Sequence, residues 1–395
     1  MSEGRRRFRV PGRIAARLAL YFIACWGVLA LLASRWGATG VLLVIALAIY
    51  TMIPFVVFLR FSGWPSYPGK WFRLLVVRVF WYVQLALPLT AAAGIIGMII
   101  GAFVGAPLGG GRVGAGIVLG FLLVMFLTGY AGSLRLKRTE LTAYLPRLPE
   151  AFEGTRIAQV SDLHVGPHTS RRFLARVRGL LVDGKPDIIA ITGDLVDDRW
   201  EDVAIFEREL GPLRAPLGVF VIAGNHDVYA EWEAVERELA TRGVGTLLLN
   251  GAVVLERGGA RLAVVGTGDP AGRQIGSARV SPDVARALAS RPADMPTVAL
   301  AHNPALWPQL AEAGVDLTLS GHTHWGQFAI PRLGWSLASV FLKHAMGSYR
   351  EGDSLLYITP GTGVWGLPFR IGAASEVAFV TLRRGPAAIT SSPRR

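Results

Sequence analysis

The sequence predicts two structural classes in one chain: an N-terminal all-α transmembrane bundle of four helices, then an α/β domain with mixed sheets covered by helices. Three observations lead there. Over 395 residues the composition is 52% hydrophobic and only 17% charged, which excludes disorder and a water-soluble surface all round. Four long stretches carry no charged residue. After about residue 149 this pattern stops, and short β-branched runs alternate with amphipathic segments.

The uncharged stretches are Leu18–Ser34, Val41–Leu59, Val79–Val104 and Val113–Leu134. At about 1.5 Å per residue against a hydrocarbon core about 30 Å thick, each can span or nearly span a bilayer as a helix. Pro88 predicts a tilt or kink in the third. Thirteen Lys and Arg residues flank the N-terminal arm, the second loop and the exit, against Arg35 and Arg112 in the other two loops. That bias places both termini, and the domain that follows, on the cytoplasmic side of a plasma or inner membrane. Gly97, Gly101 and Gly105, echoed by Gly116 and Gly120, recur every fourth residue and predict close helix packing. No span holds an ionisable residue of the kind that marks an ion path, so transport is not expected.

The net charge is +13, yet residues 1–148 hold 16 basic residues against Glu3 and Glu140, while the remainder holds 25 basic and 26 acidic residues. A nucleic-acid groove needs its cations on the folded recognition surface, and the soluble-looking part is neutral. Nucleic acid is therefore not expected as a partner, and the lipid bilayer is. Cys25 is the only cysteine, so no internal disulfide can form.

Expected strands in the second part are Arg156–Val160, Asp187–Thr192, Gly218–Ala223, Arg261–Gly266, Thr297–Ala301, Asp316–Ser320, Ser354–Thr359 and Glu376–Leu382. Expected helices include Arg171–Leu181, Trp200–Leu210, Tyr229–Thr241, Pro282–Ala289 and Pro304–Ala313. Five strand exits carry Asp, Asn or His: Asp162-Leu-His164, Gly193-Asp194-Leu-Val-Asp197, Gly224-Asn225-His226-Asp227, Ala301-His302 and Gly321-His322-Thr-His324. Ligands collect at the carboxyl ends of strands in α/β sheets, so these loops can converge in one crevice.

Asp162, His164, Asp194, Asn225, His302, His322 and His324 offer carboxylate, imidazole and amide oxygen without thiolate. That set suits divalent Mn, Fe, Zn or Co. Seven such groups are many for one ion, whereas two ions sharing a carboxylate use them naturally. Paired cations about 3.5–4 Å apart can clamp a phosphoryl oxygen and lower the pKa of a shared water, supplying hydroxide for in-line attack.

In order and spacing, these five blocks resemble the calcineurin-like metallophosphoesterases, over about residues 154–382. The resemblance implies a β-sandwich flanked by helices. It implies Asp162, His164, Asp194 and His324 on one metal and Asp194, Asn225, His302 and His322 on the other, with Asp194 as bridge. It also implies that His226 protonates the leaving group while Asp197 orients and charges its imidazole. The expected organisation is a basic arm at 1–17, a membrane domain at 18–134, a linker at 135–153, the phosphoesterase at 154–384 and a disordered tail at 385–395.

The chain departs from the family pattern in three places. Asp198, not Arg, follows the second Asp of the GDxxD block, which argues against a phosphoprotein substrate. Trp325 follows the last block, where it either narrows the cleft or faces substrate. Phe328–Ser348 is unusually apolar, and reads as a membrane-facing flap or as a core-packing insertion. His168 and His344 match no block and are expected to be exposed or packed. Arg370 and the turn at 359–366 are candidates for phosphate contact, though turn geometry alone explains the glycines. Asp198, Glu201 and Asp202 read as a solvated helix start.

A tethered hydrolase suits a tethered substrate. The expected activity is therefore hydrolysis of a phosphodiester or pyrophosphate in a lipid-linked molecule, and the similar membrane-associated subgroup includes hydrolases of UDP-2,3-diacylglucosamine, a lipid A precursor. The alternatives are a broad phosphodiesterase acting on nucleotides or envelope polymers, and a non-enzymatic receptor or scaffold. The last would be expected to lack a ligand or the catalytic histidine, and neither is lost.

Overall fold

A computed structural model describes residues 12–61, 69–166, 169–289 and 291–391. The chain divides into two compact units, Met1–Thr128 and Gly129–Arg395. Most of the expected basic arm lies outside the described residues.

Among the described residues, three helical stretches are long and apolar enough to cross a membrane: Ala16–Pro54, Arg73–Ala102 and Pro107–Ser133, the last running into the start of the second unit. The first, at 39 residues, is interrupted. A 3-10 turn occupies Ser34–Trp36, and Gly37 leaves helical geometry (φ 64°, ψ −155°), separating helix Gly12–Ala33 from helix Gly37–Phe61. The charge pattern anticipated this break, because Arg35 sits in it. Gly97 and Gly101 lie against the backbone of Gly110 and Ala106 in the next helix, and Gly114 meets Ala93. Here the sequence reading needs correction. Gly116 and Gly120 face open space and Gly105 is a turn residue (φ 69°), so the matching notch is built by Gly110 and Gly114. Arg112 enters an otherwise apolar region and donates from Nε to the carbonyl of Leu32 at 3.0 Å, satisfying a carbonyl near the end of its helix.

Among its described residues the second unit holds fifteen strands: β1 Leu136–Leu145, β2 Arg156–Val160, β3 Ile188–Thr192, β4 Val219–Ile222, β5 Thr246–Leu247, β6 Gly251–Arg257, β7 Ala260–Gly266, β8 Thr297–Leu300, β9 Leu317–Ser320, β10 Ala329–Ile330, β11 Trp335–Ser336, β12 Gly347–Glu351, β13 Ser354–Ile358, β14 Ser375–Arg384 and β15 Ala388–Ser391. They form a seven-stranded sheet, β15-β1-β14-β2-β3-β4-β5, a six-stranded sheet, β12-β13-β9-β8-β7-β6, and the pair β10-β11. All eight expected strands are present. The runs β2-β3-β4-β5 and β7-β8-β9-β13 are parallel, so the carboxyl ends within each run open along one edge.

One buried layer combines Ala190, Ile222 and Val380 of the first sheet with Val264, Leu300 and Leu319 of the second. The other face of the first sheet buries Val160 and Ile191 against Leu174 and Val177 of helix Arg171–Gly184 and Phe206 of helix Val203–Leu210. The second sheet buries Ala263 and Ala299 against Ala287 and Leu310. Covered on both faces, β3, β4, β8 and β9 are buried along their whole length, which is why they read as unbroken apolar runs.

The ends of this unit differ from expectation. The expected linker at 135–153 contains β1, paired over ten residues with β14 in parallel and with β15 on its other side. The expected disordered tail contains β15. Strand β1 buries only alternate positions late in its length and β15 buries none fully, while Lys137, Arg138 and Glu140 of β1 stay at least partly exposed, so the charged residues hid the alternation. Residues 392–395 lie outside the described residues.

Candidate metal centre

Each of the five blocks begins within a residue or two of the end of a strand, β2, β3, β4, β8 or β9, and the structure gathers them at one edge. Turning so many side chains inward at once requires unusual backbone. Asp162, His164, Asp194, His322 and His324 all have positive φ, between 44° and 68°. Left-handed geometry costs a non-glycine residue about 1–3 kcal/mol and persists only where the surroundings enforce it. Here neighbouring loops do so through backbone bonds, Asp162 N to Gly193 O, His164 N to Asp194 O, and Gly321 N to His302 O, at 3.0–3.1 Å. The motif glycines complete the fit: a side chain at Gly224 would run into the Asp194 carboxylate, and one at Gly321 into that of Asp162.

What converges is almost wholly acceptor atoms. His164 Nε2 and His324 Nε2 are 3.1 Å apart, His324 Nε2 is 3.4 Å from Asp162 Oδ1, and His164 Nε2 is 3.7 Å from Asp194 Oδ2. On the other side of Asp194, His302 Nε2 lies 3.2 Å from its Oδ2 and 3.2 Å from Asn225 Oδ1, which is 2.8 Å from His322 Nδ1. Backbone groups set these orientations. His302 Nδ1–H donates to the carbonyl of Thr192 at 2.8 Å, which points Nε2 into the cluster. His226 N donates to Asp194 Oδ1 at 2.7 Å and His322 N to Asp162 Oδ1 at 2.9 Å, while Asp162 Oδ2 is buried without a partner.

Buried acceptors facing acceptors need positive charge among them. Burial disfavours charge on Asp194, yet His302, His164 and His226 outweigh it and hold the carboxyl well below its ordinary range. Burial likewise opposes a proton on His302, but Asp194 and then Asp162 and Asp269 raise it well above the usual imidazole value. His322 is pushed down to about 4 by burial and by His302. Divalent cations fit this donor set. Asp162, His164 and His324 form one compact group, Asp162, Asp194 and His302 another, and His164, Asp194 and His226 a third.

His226 stands beside the cluster, edge-on to His164 with ring centroids 4.6 Å apart. The resemblance implies that the Asp197 carboxylate orients it, and the structure places two oxygens of Asp197 near its ring. His226 Nδ1 is 2.7 Å from the backbone carbonyl of Asp197 but 3.8 Å from Oδ1, which lies nearer His164 Nδ1 at 3.4 Å. A carbonyl only accepts, so Nδ1 of His226 carries the proton and Nε2 is left for exchange with a bound molecule.

Two acids of the site were missed. Asp227 is buried and accepts from Leu195 N, Val196 N and Gly224 N at 2.9–3.1 Å, clamping the Asp194 loop to the Asn225 loop. It stood inside a quoted block, but nothing in its type distinguished a ligand from a clamp. Asp269 follows β7, is buried, has Oδ2 unpartnered, and is raised to about 6 chiefly by burial. Its signal was available, since Thr267-Gly268-Asp269 is a sixth strand exit ending in an acid.

The remaining candidates fall outside the cluster. Arg370 is 2% exposed, and its Nη atoms meet Ala373 O, Gly363 O and, at 3.3 Å, His324 Nδ1, so it braces a candidate ligand. Trp325 is half-buried and its Nε1 donates to Ile358 O at 2.9 Å. His344 packs edge-on to Trp307 and Tyr349, each at 5.0 Å. Asp202 is buried, not solvated as expected, whereas Glu201 pairs with Arg199 at the surface. His168 lies outside the described residues. Phe328–Ser348 is not a core insertion: Leu333, Val340 and Phe341 are 74%, 60% and 80% exposed.

A cluster of this chemistry at the carboxyl ends of parallel strands defines a metal-dependent phosphoesterase. Residues 155–326 match the calcineurin-like phosphoesterase family. A metallophosphoesterase of Helicobacter pylori strain J99 is 34% identical over 270 residues, 67% of this chain and 70% of that protein. YkuE, a metallophosphoesterase of Bacillus subtilis, is 30% identical over 262 residues, 65% of this chain and 89% of its own. A transmembrane protein with metallophosphoesterase domain from Danio rerio is 33% identical over 245 residues, 60% of this chain, which spans only 55% of that relative. The chain belongs to the calcineurin-like metallophosphoesterases and is a metal-dependent phosphoesterase.

Proposed function

We propose that this protein is a membrane-anchored hydrolase of phosphodiester or pyrophosphate bonds, with a two-ion centre bridged by Asp194. The observation that carries it is the position of Asp194 Oδ2, within 3.7 Å of His164 Nε2 on one side and 3.2 Å of His302 Nε2 on the other. Asp162, His164 and His324 complete one ion's ligands, and Asn225, His302 and His322 the other's. Bound there, divalent cations would polarise a phosphoryl oxygen and make a water nucleophilic near neutral pH. His226 delivers a proton from Nε2 to the leaving oxygen, its ring fixed by the Asp197 carbonyl. Asp227 keeps two ligand loops in register, and Arg370 braces His324.

We read the two sheets as the sandwich of this family, and the break at Ser34–Trp36 as dividing the first apolar stretch into two spans, four in all. The distribution of Lys and Arg supports a cytoplasmic catalytic unit. Anchoring supports a lipid-linked substrate, with UDP-2,3-diacylglucosamine the first to assay. Soluble nucleotides or envelope polymers are the second reading, and nothing in the ligand set favours a non-catalytic receptor.

The test is a substrate screen on full-length, detergent-solubilised protein stripped by chelator and resupplied with Mn²⁺. Restored hydrolysis of at least one phosphodiester or pyrophosphate is expected. No turnover of any of them by folded, metal-loaded protein overturns the proposal, and turnover of nucleotides alone redirects it to the second reading.

A further inference from the structure

We infer that the substrate carries an apolar chain next to its phosphate, and that Leu337, Phe341, Leu342 and Trp365 select it; this rests on the hydrolase reading above. A cavity of about 430 Å³ opens on the ligand cluster, with Asp194, Asn225, His226, His322 and His324 on one wall. Leu337, Ala338, Phe341, Leu342 and Trp365 line the same cavity and supply an apolar wall. The volume falls within the about 300–1,000 Å³ of sites for drug-sized molecules, whereas a phosphate would occupy only the polar wall. The apolar wall therefore has room for the rest of the molecule.

This wall is built, not draped. Gly326, two residues beyond His324, has φ 62°, and a Cβ there would lie 2.6 Å from Ala338 N and 2.7 Å from Leu337 Cβ, so the wall presses directly on the loop that carries two candidate ligands. Gln327 Nε2 donates to the carbonyls of Trp365 and Leu367, joining the two halves of the wall. Trp365 also stands edge-on to His226, ring centroids 6.1 Å apart. At the mouth, Phe341 is 80% and Trp365 52% exposed. Large apolar side chains grouped in water mark a surface that an apolar partner covers.

The occupant follows from what adjoins the wall. Its polar end is fixed by the ligand cluster as a phosphoester, so the apolar part is the ester's own chain. The loop bearing Trp365 continues to Arg370, whose backbone N–H donates to Gly129 O at 2.8 Å. Gly129 lies near the end of Pro107–Ser133, a helix apolar enough to cross a membrane.

The test uses full-length protein in detergent, loaded with Mn²⁺, and p-nitrophenyl alkyl phosphodiesters from methyl to octyl below their aggregation limits. The kcat/KM should climb with chain length, by up to about fourfold per methylene fully buried, mainly through KM. Leu337→Ser combined with Phe341→Ser should flatten that climb. Phe341→Ser alone, at a largely exposed side chain, serves if the double variant does not fold. A flat profile in the unaltered protein overturns the inference while leaving the hydrolase reading intact. An undiminished climb in the variants overturns it too, because the chain would then be selected elsewhere. Absence of hydrolysis across the series overturns the inference, and only if pyrophosphates are also left intact by the same metal-loaded protein does the hydrolase reading fall with it.

Discussion

In the first unit, Gly97 and Gly101 meet the backbone of Gly110 and Ala106, while in the second, Gly224 and Gly321 meet the carboxylates of Asp194 and Asp162. The residue type is the same and the purpose differs. In lipid, helices associate without a hydrophobic drive, so removing side chains to bring backbones together supplies the packing. At the strand exits, removing side chains makes room for buried charge, and the stabilisation must come from whatever cation that charge attracts. The first unit packs through contacts it makes itself, whereas the second gathers buried charge that a divalent cation would complement.

The difference can be broken, beginning with the largest expected effect. Asp194→Asn removes the atom shared by both halves of the cluster, and metal content measured by elemental analysis should fall together with activity. His226→Ala should lower turnover of an ester with a poor leaving group by about 10²–10⁴-fold, with metal content near normal. Equal metal loss in both variants would show that His226 is a ligand. Gly224→Ala places a methyl against Asp194 and should weaken metal affinity by about 10–100-fold, the size of effect seen when support around a ligand is lost; a metal titration reads it. Gly110→Val should leave metal affinity untouched but cost about 1–3 kcal/mol of helix packing, seen as a lower melting temperature in detergent. Gly116→Ala, where the added methyl meets nothing within 4 Å, should change neither. If Gly110→Val impaired metal binding as much as Gly224→Ala does, the two roles would not be separable.

The two units were also legible to different degrees. Apolar length exposed the helices of the first and the turn around Arg35, because a helix long and apolar enough to cross a bilayer needs about 20 such residues and stands apart from amphipathic ones. The face on which helices meet was not legible, since Gly110 and Gly114 look no different from Gly116 and Gly120 until a neighbour is in place. In the second unit, β3, β4, β8 and β9 were plain because burial on both faces leaves continuous apolar runs. Strand β1 was lost among the charges that follow the last apolar helix, and β15 in a short polar tail. The residues now gathered around Asp194 were picked out by type and position at strand ends. What each touches was less legible: the nearest oxygen to His226 Nδ1 is the Asp197 carbonyl at 2.7 Å, and backbone carbonyls leave no trace in sequence. Asp227 needed three specific N–H groups around it before its role could be read.

The central claim is one aspartate shared by two cations. The direct measurement is metal stoichiometry by elemental analysis of the folded, full-length protein, titrated with Mn²⁺ after chelation, beside Asp194→Asn. Two ions per chain, with both lost or weakened together in the variant, is the expected result. Saturation at a single ion, or a variant that still binds two, would contradict it.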